Sequence, residues 1–405
     1  MKKKTITLAL LCALGMPVAW AQTPTTEKAQ QPEEYQFTPV KVLEMTSIKD
    51  QNRTGTCWAF SGEGFLEIEA LRNSGIRVDL APMFVVSHSY KDKARQYVRY
   101  HGNINFAQGG SFYDVLYVLK HYGVVPMSEM SGLQYGAKTH VHNEPEAVMK
   151  GFLQALVKEQ DKSNSLTTAW QPAFDGIVDA YLGKTPEKFS FNGKTYTPTS
   201  FAQALKLNAD DYVSLTSYTH HPFYQSFVLE IPDNWRHSSS YNLPLDELMK
   251  VFDYAIQNNY PIAWGADVSE VGFTRDGIGV LVDVNANSSR GSDQERWIGK
   301  SDNKQHLSVA EMVRRPNCPE VTPTQEYRQQ GFDNMQLTDD HGMVIYGIAK
   351  DQYGKKFYMI KNSWGEAGKY KGIWYISENY AAGKTMNIVV NKKAIPADIR
   401  KKLGI

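Results

Sequence analysis

The spacing of apolar residues changes part-way along the chain, from a helical period to a strand-like one. Before about residue 260, apolar side chains recur every three or four residues, which is typical of amphipathic helices. After Tyr260, short runs rich in Val, Ile and aromatic residues indicate strands. A helical half followed by a strand-rich half predicts an α+β protein with a helical lobe and a β-rich lobe. The predicted helices are 57–73, 82–100, 111–122, 143–170 and 245–259, and the predicted strands lie within 38–48, 261–268, 277–284, 342–349, 356–364 and 372–377.

The first 21 residues have the pattern of a cleavable export signal. Residues 2–4 are lysines, residues 6–16 are an apolar run, and Ala19-Trp20-Ala21 provides the small residues of a cleavage site. The apolar run is too short to span a bilayer in the mature protein, and no later stretch is long and apolar enough to do so. We therefore expect a periplasmic or secreted chain without a membrane span.

The charge balance excludes several classes of partner. The chain has 44 Lys and Arg against 43 Asp and Glu, so no strong field attracts nucleic acid or an acidic membrane. Hydrophobic residues make up 42% of the chain, which is too many for an intrinsically disordered protein. We expect a globular protein that has no nucleic-acid partner and is not drawn to an acidic membrane by its charge.

The cysteines leave two alternatives. Cys12 lies in the predicted signal, so the mature chain keeps Cys57 and Cys318, and an exported protein usually pairs such residues in a disulfide. The alternative is a reactive Cys57 thiol with Cys318 as a bystander. A loop containing Gly55 leads directly into the helix that begins at Cys57, where the partial positive charge favours a thiolate and unpaired N–H groups can stabilise an oxyanion. Gln51, six residues earlier, is placed to supply a second donor.

A thiol nucleophile needs a base, and the base needs a group that orients it. Most of the ten histidines, including the pair His220-His221, have no evident partner in the sequence. His341 differs because it opens a predicted strand, while Asn362 ends the next one across a turn at 351–354. In an antiparallel hairpin these two residues are neighbours. A lone histidine would more simply be structural, but Asn362 at the matching end favours a catalytic pair.

The motifs Gln51…Cys57-Trp58, His341-Gly342 and Asn362-Ser363-Trp364-Gly365 together resemble the papain family of cysteine peptidases in order and in the Gln-to-Cys step. Within that family the chain is most similar to the bleomycin hydrolase, or aminopeptidase C, branch. The features that carry this second resemblance are the separation of 284 residues between Cys57 and His341 (341 minus 57) and the segments 83–86, 105–115, 122–126 and 259–265.

The resemblance implies a role for each matching residue. Cys57 would be the nucleophile, His341 the general base and then acid, Asn362 its orienting group, and Gln51 an oxyanion donor. The substrate site would include Gly109, Gly110 and Trp364, since glycine allows a substrate backbone to approach without a clash at Cβ. No metal or cofactor is implied, and the chain lacks the His-Glu-x-x-His motif of zinc peptidases.

The resemblance also implies the organisation of the chain. We expect a papain-like, two-lobed α+β fold with a large helical insertion. The expected segments are a signal peptide (1–21), a flexible leader (22–37), a helical lobe with Cys57 (38–130), the insertion (131–245), a β-rich lobe with His341 and Asn362 (246–390) and a C-terminal arm (391–405).

The expected activity is hydrolysis of peptides, and the branch implies an aminopeptidase whose own C-terminal carboxylate lies in the cleft and binds the substrate's amino terminus. Two alternatives remain open: an endopeptidase with an open cleft, and a papain-like shell that binds peptides without turnover. The branch is mostly cytosolic and homohexameric, whereas this chain has an export signal, so a monomer and a homo-oligomer both remain open.

Overall fold

The computed structural model describes residues 33–163, 165–284 and 308–405. The predicted signal peptide, most of the leader and the predicted loop at 285–304 lie outside the described residues. Within the described ranges, no helix has both the length and the apolar character needed to cross a bilayer.

The helices carry most of the first half of the chain, as the apolar spacing predicts. They are α1 (Cys57–Ser74), α2 (Pro82–Arg99), α3 (Phe112–His121), α4 (Asn143–Ser163), α5 (Trp170–Leu182), α6 (Pro198–Ala204), α7 (Leu245–Gln257), α8 (Val309–Val313), α9 (Gln325–Asp333), α10 (Glu378–Lys384) and α11 (Ala397–Leu403).

The strands are concentrated in the second half, with a group of shorter ones between α5 and α7. They are β1 (Thr38–Val42), β2 (Phe189–Phe191), β3 (Lys194–Tyr196), β4 (Tyr212–Thr216), β5 (Ser226–Val228), β6 (Ser239–Asn242), β7 (Ile262–Ala266), β8 (Ile278–Gly279), β9 (His341–Lys350), β10 (Lys356–Lys361), β11 (Ile373–Ser377) and β12 (Thr385–Asn391).

One mixed sheet organises the fold. Its strands follow the order β5-β6-β4-β12-β7-β9-β10-β11-β8, and β1 pairs with β9. The β9–β10 hairpin pairs Lys350 with Lys356 and Val344 with Lys361, so the start of β9 lies beside the end of β10. The α+β prediction and the predicted hairpin are both confirmed.

Helix α1 is buried on nearly all sides and packs directly on β9. Gly342 allows this close approach, because a Cβ there would come 2.7 Å from Oγ of Ser61 and 3.3 Å from Cα of Trp58. Phe65 and Leu66 of α1 are buried in the same core as the residues of β9, and each large apolar side chain buried in this way contributes about 1.5–3 kcal/mol. This packing fixes the start of α1 beside the start of β9.

The predicted insertion at 131–245 contains more than the helices α4 and α5. Strands β4, β5 and β6 also belong to it, and β4 pairs with β12, so this segment extends the main sheet. Helix α5 was absent from the prediction, which ran a single helix over 143–170. Its signal was present, because Phe174, Val178 and Leu182 recur every four residues and are all buried.

The predicted strand at 277–284 is mostly irregular. Only Ile278 and Gly279 form β8, because the next residues make single contacts elsewhere: Val280 donates to the Gly272 carbonyl, and Val282 bridges Glu320. A continuous apolar run therefore overstated the length of the strand.

The C-terminal segment is not the extended arm that the resemblance implies. Residues 397–403 form α11, whose Ile399 and Leu403 are buried in the main core, and Lys402 forms an ion pair with Glu247 of α7. Ile395, Ile399 and Leu403 recur every four residues, so a helix buries all three in this core. The expectation that the tail lies in the cleft is wrong for this structure.

Candidate active site

Cys57 is the first residue of α1, directly after the loop that contains Gly55. Cys57 and Cys318 are both free, so the alternative of a disulfide between them is wrong. Cys318 is buried in a separate cluster with Val313 and Phe357. The loop-to-helix position that the sequence predicted for the Cys57 thiol is therefore the one observed.

His341 and Asn362 are neighbours, as the hairpin spacing predicts. Nε2 of His341 lies 2.8 Å from Oδ1 of Asn362, and both side chains are buried. The backbone N–H of Ser363 donates to the same oxygen at 2.7 Å and helps to hold the amide. The ring of Trp364 stacks on the imidazole with centroids 4.7 Å apart, which shields this hydrogen bond from water.

Cys57 and His341 line one cavity of about 150 Å³. The backbone N–H of Gly342, next to His341, hydrogen-bonds to the Cys57 sulfur, so the start of β9 and the start of α1 meet at the thiol. The remaining lining residues are Gly55, Trp58, Gly109, Gly110, Ser111, Phe112, Asp233, Gly265, Asp339, Asp340 and Asn387.

The electrostatics of the site favour a neutral thiol and a neutral imidazole at rest. Burial first, and then the charges of Asp339 and Asp233, raise the pKa of Cys57 to about 12, although the N–H groups of Gly342 and Trp58 act in the opposite direction. Burial lowers the pKa of His341 to about 4 against the hydrogen bond to Asn362. The direction of the Cys57 shift is opposite to that expected from the helix terminus alone, because burial and two carboxylates both raise the pKa of the thiol.

Gln51 is buried close to this site, but it is not among the cavity-lining residues. Its Nε2 donates to the Thr54 carbonyl at 2.8 Å, and its Oε1 accepts from the Ser363 hydroxyl at 2.6 Å. The amide has two N–H groups, and the bond to Thr54 uses one of them. The role of Gln51 as an oxyanion donor stays a prediction.

Gly109 and Gly110 line the cavity, but the structure gives a different reason for glycine there. A Cβ on Gly110 would lie 2.7 Å from the Trp58 ring, and one on Gly109 would overlap the carboxylate of Asp233. Both glycines therefore make room for groups of the protein itself. Trp364 contacts His341 and lies outside the cavity lining. The substrate contacts of all three residues stay predictions.

The sequence analysis missed three carboxylates of the cavity, Asp233, Asp339 and Asp340. Burial, together with the nearby charges of Asp233 and Asp340, raises the pKa of Asp339 to about 7. Burial also raises the pKa of Asp233, which Lys93 partly offsets. Asp339 stands two residues before His341, so its position was a usable signal, whereas nothing in the sequence connects Asp233 with Gly109.

The model of the peptidase C1-like family matches residues 83–295 and 299–404. The chain belongs to this family. It is a papain-family cysteine peptidase, as its motifs predict. The match begins after Cys57, so the assignment of the nucleophile rests on its position in the cavity beside His341.

The relatives span most of this chain at low identity. Aminopeptidase G of Lactobacillus delbrueckii subsp. lactis is 21% identical over 89% of this chain and 84% of its own length. Aminopeptidase C of Lactobacillus helveticus is 21% identical over 90% and 84%. The crystal structure of PepW from Lactobacillus rhamnosis covers 91% of this chain and 84% of its own, at 19% identity, with a TM-score of 0.66. The predicted papain-like fold is confirmed.

Proposed function

We propose that this chain is an exported aminopeptidase that removes single residues from peptides with a free amino terminus. The observation that carries the proposal is the position of Asp233. Its carboxylate occupies the space that a β-carbon of Gly109 would take, at one wall of the cavity that contains Cys57. Lys93 donates to the Gly109 carbonyl, and its charge interacts with that of Asp233.

A carboxylate at this wall obstructs an extended chain that would continue past Gly109. An endopeptidase must accommodate such a chain, because it binds residues on both sides of the cleaved bond. An aminopeptidase needs room on that side for only one residue and its ammonium group. The small volume of the cavity, about 150 Å³, suits the second requirement.

The charge of the cavity also favours a cationic end group. Asp233, Asp339 and Asp340 all line it. A buried ammonium group gains charge-assisted hydrogen bonds from carboxylates of this kind. An acetylated amino terminus has no charge and keeps only one of the three N–H donors, so it leaves the carboxylates without a counter-charge, which is costly in a site with little water.

The side chains support acyl transfer as the reaction. The Cys57 thiol transfers its proton to the neutral His341 imidazole, and the sulfur attacks the first peptide carbonyl. Backbone N–H groups at the start of α1 and the Gln51 amide would stabilise the oxyanion. The imidazolium gives its proton to the leaving amine, which leaves a thioester on Cys57. Water, deprotonated by His341, then releases the amino acid and restores the thiol.

The names of the relatives, aminopeptidase G and aminopeptidase C, support the same class of reaction. The endopeptidase and the non-catalytic shell are the competing functions. Two peptides of the same sequence, one with a free and one with an acetylated amino terminus, distinguish these three functions. The products are identified by mass, with a thiol reductant present.

We expect release of the first residue from the free peptide and little cleavage of the acetylated one. Cys57→Ala should abolish the first reaction. Asp233→Ala should raise the cleavage rate of the acetylated peptide relative to that of the free peptide by about tenfold or more. One lost hydrogen bond to a charged group corresponds to about 1.5–3 kcal/mol. Asp246→Ala, at an exposed position of α7, is the matched control. Internal cleavage of both peptides by the unaltered chain would establish an endopeptidase instead.

We further propose export with removal of residues 1–21, on the basis of the lysines at 2–4, the apolar run at 6–16 and Ala19-Trp20-Ala21. Sequencing of the mature amino terminus should begin at Gln22. A homo-oligomer remains a proposal from the family resemblance, and light scattering of the mature chain tests it directly.

A further inference from the structure

The histidine pair that has no evident partner in the sequence has one in the structure. His220 and His221 lie between β4 and β5, and Glu230 follows β5. Nε2 of His220 lies 3.1 Å from one carboxylate oxygen of Glu230, and Nε2 of His221 lies 3.0 Å from the other. One ligand atom from each of the three residues can be chosen so that all lie within 4.8 Å of one another.

Neighbouring side chains fix both imidazole rings. Nδ1 of His220 lies 3.2 Å from Oε1 of Gln329 on α9, and its ring stacks on Phe332 at an interplanar angle of 16°. The ring of His221 stacks on Phe227 with centroids 4.2 Å apart. Groups that hold the second ring nitrogen and the ring plane are what orient histidine ligands in metal sites.

The donor set matches a borderline divalent metal ion. Two neutral imidazoles and one carboxylate are a known ligand set for Zn²⁺, with bonds of about 2.0–2.2 Å and one position left for water. Two donors of a tetrahedral zinc are therefore about 3.4 Å apart. Each histidine nitrogen lies 3.0–3.1 Å from a different oxygen of Glu230, and one atom from each of the three residues lies within 4.8 Å of the other two, so small side-chain rotations bring them to this spacing. The side chains are 27%, 37% and 54% exposed, so an ion can reach them from solvent.

We infer that His220, His221 and Glu230 form a binding site for one divalent transition-metal ion, with Zn²⁺ as the representative ion. Two nitrogens and one carboxylate oxygen are its protein ligands. The carboxylate, which contacts two histidines in the structure, then neutralises part of the charge of the ion. Gln329 and Phe332 act as positioning residues, because they hold His220 without touching the ion.

The site is placed to stabilise the segment that reaches the catalytic cavity. Glu230 precedes Asp233 by three residues, and the Asn234 side chain ties that short segment to the Leu229 and Ser238 carbonyls. An ion on Glu230 would join this segment to the 220–221 turn and, through Gln329, to α9. Metal binding should therefore raise the melting temperature of the chain, as any ligand of the folded state does.

The test is isothermal titration of the chelator-treated mature chain with ZnCl₂. The titration is done in a Cys57→Ala background, so that the catalytic thiol does not bind the ion. We expect one Zn²⁺ per chain and a rise in melting temperature. His221→Ala and Glu230→Gln should each weaken binding by about tenfold or more, in line with losses seen when metal-site residues are changed.

His121→Ala is the matched control, because His121 is exposed on α3 and belongs to no such cluster in the described part of the chain. It should bind Zn²⁺ with unchanged affinity. A lack of saturable binding, or equal affinity in His221→Ala, Glu230→Gln and His121→Ala, would overturn the proposal. Circular dichroism of each variant separates a lost ligand from a lost fold.

Discussion

Nε2 of His341 lies 2.8 Å from Oδ1 of Asn362, at the start of one strand and just past the end of its hairpin partner. An amide oxygen only accepts hydrogen bonds, so this contact keeps the proton of the neutral imidazole on Nε2. The lone pair is then on Nδ1, as a general base for the thiol requires. Asn362 therefore selects the tautomer as well as the direction of the ring.

Replacing Asn362 with alanine should lower kcat/KM on an unblocked peptide by about 10²-fold, since general-base catalysis of this kind contributes about 10²–10⁴-fold. The loss should appear in kcat, because Asn362 is not a lining residue of the cavity. Steady-state kinetics at saturating substrate measure it. Asn334→Ala, at an exposed position after α9, is the control. An unchanged kcat for Asn362→Ala would contradict the role.

Activity on unblocked peptides should rise as Asp339 ionises, because only the charged carboxylate attracts the substrate's ammonium group. Burial, with Asp233 and Asp340, raises the pKa of Asp339 to about 7, so the rise is centred there. A fall follows as the substrate amino group, with a pKa of about 7.7–8.0, loses its proton. His341, with a pKa of about 4, and Cys57, with a pKa of about 12, titrate outside this range.

A pH profile of kcat/KM measures this effect. Asp339→Asn should remove the rising limb near pH 7 and keep the falling one, because the falling limb belongs to the substrate. A rising limb that persists in Asp339→Asn would mean that another group controls binding of the amino terminus.

The same carboxylates disfavour the thiolate form of Cys57, so removing one of them should speed alkylation of Cys57 but slow hydrolysis of unblocked peptides. Besides burial, the charges of Asp339 and Asp233 raise the pKa of Cys57. Asp339→Asn should therefore speed alkylation of Cys57 by uncharged iodoacetamide by about three- to tenfold, since the thiolate fraction rises tenfold for each unit that the pKa falls. Peptide hydrolysis by the same variant should slow. The alkylation rate is measured at pH 8 by intact-mass spectrometry, and Asp246→Asn is the control. A fall in both the alkylation rate and the hydrolysis rate of Asp339→Asn would contradict this prediction.

The parts of the site that the sequence predicts are those set by local spacing. Cys57 follows a glycine-containing loop and opens a helix, and His341 and Asn362 face each other across one turn. The contact between Gly109 and Asp233 joins positions 124 residues apart (233 minus 109), and no period or motif encodes it. The contribution of Asp233 to the charge of the cavity was missed for this reason, whereas Asp339 and Asp340 directly precede His341 and could have been read from the sequence.

For the C-terminal tail, the apolar spacing predicts a buried helix, but the family resemblance led to a different expectation. Ile395, Ile399 and Leu403 have helical spacing and are buried in the main core. The family resemblance implied an arm in the cleft, whereas this chain places Asp233 at the wall of the cleft. Under the proposed function, Asp233 binds the substrate's amino terminus in place of the tail.

Truncation of the tail should therefore affect stability and leave the choice of substrate unchanged. Deleting residues 397–405 removes the buried side chains of Ile399 and Leu403, and each such loss costs about 2–5 kcal/mol of unfolding free energy. Deleting only Gly404 and Ile405 moves the terminal carboxylate by two residues, to Leu403, at a much smaller cost in stability. Urea unfolding measures the stabilities, and the free and acetylated peptide pair measures selectivity. In the two-residue deletion we expect the ratio of acetylated to free cleavage to stay as in the full chain, whereas Asp233→Ala raises it. A rise in that ratio in the two-residue deletion would mean that the tail, and not Asp233, binds the amino terminus of the substrate.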